Sequence, residues 1–219
     1  MRVSVMCVLI VMTVLGCSSS PAPAPPSVRA PESTVVTVDP NRVKRVRADL
    51  PPGYEVGDAP GAASPAELWG FRAGWTAEPA PCAQLVDPAA GAPAQGLSGS
   101  GDGGLLYVVV ATAQVMAPDP ALRTECAQWT MTYGRSSASA SVVEAPHIEG
   151  VETVGVSADI RTVVESGNET DSRTQTFTAY LGDHYVFVTL IVDPGSPHPP
   201  LPSQFAAELL VKTVSALRG

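Results

Sequence analysis

The sequence is short of cysteine, histidine and lysine, and each shortage bears on a class of function. Its four cysteines include no CxxC pair, and His147, His184 and His198 form no HxxxH or HExxH spacing. Neither a zinc site nor a thiol-redox motif can be read from such a set, and no cofactor is expected. Two lysines and eleven arginines stand against 21 acidic residues, for a formal net charge of −8. That balance speaks against nucleic acid as a partner, because phosphate binding wants a basic surface. Long apolar runs are also missing. The run from Val3 to Leu15 falls short of the ~20 residues that span a bilayer, and Leu105 to Ala113 reads as a strand.

What is present begins at the amino terminus. Arg2 precedes the apolar run, and Val14-Leu15-Gly16-Cys17 has the form of a lipobox with a small residue before the cysteine. Residues 1–16 are therefore expected to be a lipoprotein signal peptide, with Cys17 freed, acylated and held in the cell membrane on its extracytoplasmic face. Several acyl chains would anchor stably, at about 0.8 kcal/mol per buried methylene. An ordinary secretory peptide that leaves Cys17 a plain thiol is the alternative. Residues 17–38, with prolines 21, 23, 25, 26 and 31, read as a tether that could extend up to ~65 Å. Residues 39–219 are expected to form a single domain.

Export removes Cys7, and Cys17 takes lipid, which leaves Cys82 and Cys126. In an oxidising envelope compartment an isolated pair is most simply a disulfide, because a metal pair or thiol nucleophile would want CxxC spacing or a neighbouring histidine. Removing residues 1–16 takes away one arginine and no acid, so the mature charge is −9.

Within the domain, Asp39-Pro40, Ser64-Pro65-Ala66-Glu67 and Asp119-Pro120 each place a capping side chain before a proline, which predicts three short helices. A longer helix is predicted over Ser203 to Leu217, with Ala206, Leu210, Val214 and Leu217 on one face. Between them the period becomes two. Strands are predicted over 105–114, 129–133, 138–144, 157–165, 173–181 and 185–192, the last three as consecutive hairpins. The expected fold class is α+β: an antiparallel sheet of about five to six strands, helices on one face including the long C-terminal one, and one disulfide.

RVRADLPPGYEV at 45–56, SPAELWGF at 64–71, PCAQLVDP at 81–88 and GLSGSGDGG at 96–104, with the lipobox and tether, carry a resemblance. They resemble the small mycobacterial lipoproteins that bear a domain of unknown function, over about residues 41–217. More distantly, the architecture is similar to the PknH-type extracellular sensor domain. That resemblance implies a disulfide-bonded α+β module with a cleft for a ligand, and it implies no catalytic residue.

Chemistry is sparse elsewhere. The Gly96 to Gly104 stretch lacks the lysine of a phosphate loop and precedes a strand, so it reads as a flexible strand lead-in, and its serines do not fit a nucleophile elbow. The three histidines read as exposed loop residues. Asp87, Asp102, Asp119, Asp171, Asp183 and Asp193 adjoin turn formers, where aspartate closes turns, although a glycosidase-like pair could still meet in space. Arg42, Lys44, Arg45 and Arg47 form a basic stretch, either a solvated helix face or a contact for anionic headgroups. Trp69, Phe71 and Trp75 either belong to the core or line a ligand cleft. The reading that follows is a non-catalytic binding or sensing module for an envelope lipid, glycan or protein partner. A hydrolase with an unrecognised site and a structural or assembly role are the alternatives.

Overall fold

A computed structural model describes residues 37–59, 61, 64–192 and 195–219. The expectations on the signal peptide, Cys17 and most of the tether lie outside these residues. The chain runs through a 3-10 helix η1 (Pro40–Asp49), β1 (Glu55–Asp58), α1 (Pro65–Leu68), β2 (Thr76–Glu78) and a second 3-10 helix η2 (Ala80–Leu85). It continues through β3 (Ala94–Gly101), β4 (Gly104–Thr112), α2 (Pro120–Glu125), β5 (Gln128–Tyr133) and β6 (Ser136–Val143). The last elements are β7 (Glu152–Val163), β8 (Glu169–Tyr180), β9 (His184–Val192) and α3 (Ser203–Arg218). The strands form one antiparallel sheet of nine in the order β1-β3-β4-β9-β8-β7-β6-β5-β2.

The capping signals act as their sequences require. Asp39 accepts from the Asn41 amide, Ser64 from the Glu67 amide and Asp119 from the Ala121 amide, each before a proline that has no amide hydrogen to lose. The first segment is a 3-10 helix, in which positions three apart eclipse. Val43 and Val46 consequently share the buried side, and Lys44 and Arg45 stay out. In α3 the buried Ala206, Leu209, Leu210, Thr213, Val214 and Leu217 follow helical spacing, and each large apolar side chain contributes roughly 1.5–3 kcal/mol when removed from water.

The sheet has a core on each face. One joins α3 and η1 to Leu106, Val108, Val110, Val186, Val188 and Leu190 of β4 and β9. The other joins Ala66 and Trp69 of the α1 region and Cys82 and Leu85 of η2 to Trp129, Met131, Ala140, Ala158, Tyr185 and Phe187. Cys82 in η2 and Cys126, which caps α2, form the expected disulfide inside this second core, with Cα atoms 5.6 Å apart.

Two expectations need correction. The sheet has nine strands and not five or six, and α1 and η2 cover the face opposite α3, so helices lie on both faces. β1 and β2, at four and three residues, are too short to show an alternation. β3 was hidden by its glycines: the Gly96 to Gly104 stretch is a paired strand and its turn, not a loose lead-in. These glycines serve close approaches. A Cβ on Gly96 would run into the Val108 carbonyl, and one on Gly101 would run into the Tyr54 ring, whose hydroxyl donates to the Asp102 carbonyl at 2.9 Å. Gly96→Ala is expected to cost about 1–3 kcal/mol by forcing β3 from β4, read as a lower denaturant midpoint at unchanged slope.

Candidate functional site

The period of two in β6, β7 and β8 sends Ala138, Ala140, Val154, Val156, Ala158, Ile160, Thr174 and Thr176 into the core beneath α1 and η2. The opposite face of the same strands carries Ser137, Ser139, Asp159, Arg161, Asp171, Arg173 and Gln175, then the apolar Phe177 and Ala179. Helix α3 packs on β4, β9 and β8, where those apolar positions receive it. The polar part of that sheet face therefore stays open beside the helix.

Recesses follow this boundary. One of about 330 Å³ lies where Arg173 and Gln175 of β8 meet Leu190, His198, Leu201 and Ser203. A second of about 610 Å³ continues past Gln175 and Ser203 to Phe177, Ala207, Pro146 and His147. In the other direction, a space of about 540 Å³ shares Arg173 with the first and reaches Ser137, Ser139, Asp159 and Asp171, while one of about 600 Å³ wraps the end of β8 towards Thr162 and Ile191 on the other sheet face. The recesses of 540, 330 and 610 Å³ share Arg173 and then Gln175 and Ser203, so they make up a trough along β8.

Its charges are paired across strands. The Arg173 Nε donates to Asp159 Oδ1 at 2.7 Å, and Arg161 meets Asp171 at 3.4 Å and Glu169 at 3.3 Å. All five side chains are more than half exposed, so each pair contributes little to stability, and the pairs chiefly hold donors and acceptors in place. His198 Nε2 lies 3.4 Å from Asp102 Oδ1 at one end.

The residues singled out from sequence divide by location. Trp69 and Phe71 are core side chains, 6% and 0% exposed, and Trp75 packs edge-on against Phe71 with ring centres 6.3 Å apart. None of the three lines the trough. On η1, Arg42 pairs with Asp39 and Arg47 donates to the Val56 carbonyl, while Lys44 and Arg45 are exposed and hold no ion pair among the described residues. His147 and His198 edge the trough at separate places, but His184 is buried and bonds Asp183 at 2.7 Å, contrary to its reading as an exposed loop residue. Asp171 lines the trough, and Asp102 meets it only through His198. Among the described residues no cluster of His, Cys, Asp or Glu could hold a metal ion, and no helix is long and apolar enough to cross a membrane.

Asp87 lies on the other side of the sheet. Burial pushes its carboxyl above the ordinary 3.8, Ser64 and Trp75 draw it partly back, and the Glu67 charge adds to the rise. An acid whose pKa is raised on folding favours its protonated form in the native state, so stability falls as pH climbs from the unfolded value through the folded one. Asp87→Asn is thus expected to be more stable than the parent at neutral pH and to converge with it below the ordinary aspartate range, in thermal melts taken across pH. Burial likewise raises the Tyr180 and Tyr185 phenols.

Residues 39–218 match the family described as a domain of unknown function, DUF5642. An uncharacterized protein from Mycobacterium smegmatis, the Rv0999 ortholog, shares 24% identity at a TM-score of 0.62, over 83% of this chain and 98% of that one. The extracellular domain of PknH from Mycobacterium tuberculosis shares 14% identity at a TM-score of 0.45, over 83% of this chain and 92% of that one. Likeness at this level concerns the fold. No curated protein matches.

Proposed function

The chain belongs to the DUF5642 family, and from that premise we propose that it is a membrane-anchored extracytoplasmic lipoprotein whose domain binds a ligand or partner of the cell envelope without transforming it. The trough along β8 carries the reading. It is an open, lined groove at the edge of α3, with donors and acceptors set in place by cross-strand ion pairs. A thermal-shift screen of the full chain against envelope lipids, glycans and proteins tests it. The expected result is a stabilising ligand whose effect vanishes when Ser203→Trp fills the groove, and stabilisation by none of them would count against a binding module.

The anchor rests on the lipobox. Cys17→Ala is expected to abolish acylation and release the chain from membranes into the aqueous fraction, scored by mass and by fractionation. Retention in the membrane would point to another attachment. Lys44 and Arg45, exposed and without an ion pair among the described residues, lie on the first helix after the tether, where anionic headgroups would add ~1 kcal/mol per charge.

A hydrolytic reading draws on one observation, the His198–Asp102 pair beside Ser196 and Ser203. The Ser196 hydroxyl instead accepts from the His198 backbone amide at 3.2 Å. Turnover of ester or glycoside substrates that disappears in His198→Ala would favour this second reading.

A further inference from the structure

We infer that the trough takes a neutral, hydroxyl-rich glycan chain lying along β8, an inference that rests on the reading of the trough as the ligand site. The run of β8 from Asp171 to Phe177 is about 20 Å at the rise of an extended strand, so the groove suits an elongated ligand more than a compact one.

Its two walls differ. The half-buried Val192 and Leu201 form an apolar side over the buried Leu190, and Ser139, Asp159 and Arg173 form a polar one. A sugar ring has the same asymmetry, with a face of C–H groups and an edge of hydroxyls. Arg173 spends its Nε on Asp159 Oδ1, and the terminal guanidinium nitrogens and the second carboxylate oxygen have no other side-chain partner among the described residues. A donor and an acceptor are thereby held side by side, as a vicinal diol requires, and the pair is ordered before the ligand arrives.

Charge disfavours the ionic alternatives. Arg161 and Arg173 face Asp159, Asp171 and Glu169, so an anion meets a net negative lining and a cation meets carboxylates already paired. An extended peptide would gain most by joining a free sheet edge. β6, β7 and β8 are interior strands with a neighbour on both sides, so their backbone groups are spent and recognition falls to side chains.

Isothermal titration of the full chain tests this, with an α-linked glucose oligomer and a β-linked N-acetylglucosamine oligomer as neutral probes. A uronic acid oligomer and an uncharged Gly/Ser peptide are the contrasts. The expected result is binding of a neutral sugar, weakened about tenfold by Arg173→Ala and lost in Ser139→Trp, with both variants shown folded by circular dichroism. Binding of the peptide or the acidic oligomer instead, lost in the same variants, overturns the glycan and leaves the trough standing as the site. Sugar binding that both variants retain removes the trough as its site. Binding of none of the probes overturns the glycan, and the trough then stands or falls on the envelope screen with Ser203→Trp.

Discussion

Replacing Cys82 and Cys126 together with alanine is expected to lower the unfolding free energy by about 4 kcal/mol, a fall in Tm of roughly 8–16 °C for a domain of this size. The disulfide joins positions 44 residues apart, and in the chain-entropy account its removal gives the denatured state freedom that grows with loop length. The native state loses as well. α2 buries no side chain of its own, and both cysteines are fully buried where their elements meet the core of Trp129 and Met131. Calorimetry of the oxidised parent, the reduced parent and the double variant would measure the effect. The reduced parent should approach the variant, and a loss below about 1 kcal/mol would mean that packing alone holds these two elements.

The second large effect separates two meanings of one sequence cluster. Phe71→Ala is expected to cost about 3–5 kcal/mol, because the ring is fully buried and Trp75 packs edge-on against it. Were Trp69, Phe71 and Trp75 a ligand cleft, the same change would weaken binding and spare stability. Denaturant melts and ligand titration on the same sample discriminate the outcomes. A stable Phe71→Ala protein with lost affinity would return these aromatics to the surface and move the site to the opposite face of the sheet.

Much of the fold is legible in the sequence. The β7-β8-β9 hairpins were visible because Val, Thr, Tyr and Phe alternate there and Gly167 and Gly182 mark the turns. The helix starts were visible because a capping side chain before proline has few other uses. β3 was not legible, since Gly96, Gly99 and Gly101 look like flexibility until Val108 and Tyr54 are placed against them. The trough is not legible in the sequence, which offers Trp69, Phe71 and Trp75 instead. None of its residues is singled out by sequence apart from Asp171, His147 and His198: the alternating serines of β6 are compatible with a polar sheet face, but nothing local says which way Asp159 and Arg173 point or where α3 ends above them.

The sequence by itself determined the disulfide partners, the strand periods and the amphipathic last helix. Each of these rests on neighbours along the chain or on a pair with no competitor. Only the tertiary structure decided that Trp69 and Phe71 are core, that His184 is buried while His198 meets Asp102, and that Arg173 and Asp159 line a groove. These are facts about which residues meet across strands and beneath a helix. Such meetings depend on strand order and helix placement, and local spacing in the chain carries neither.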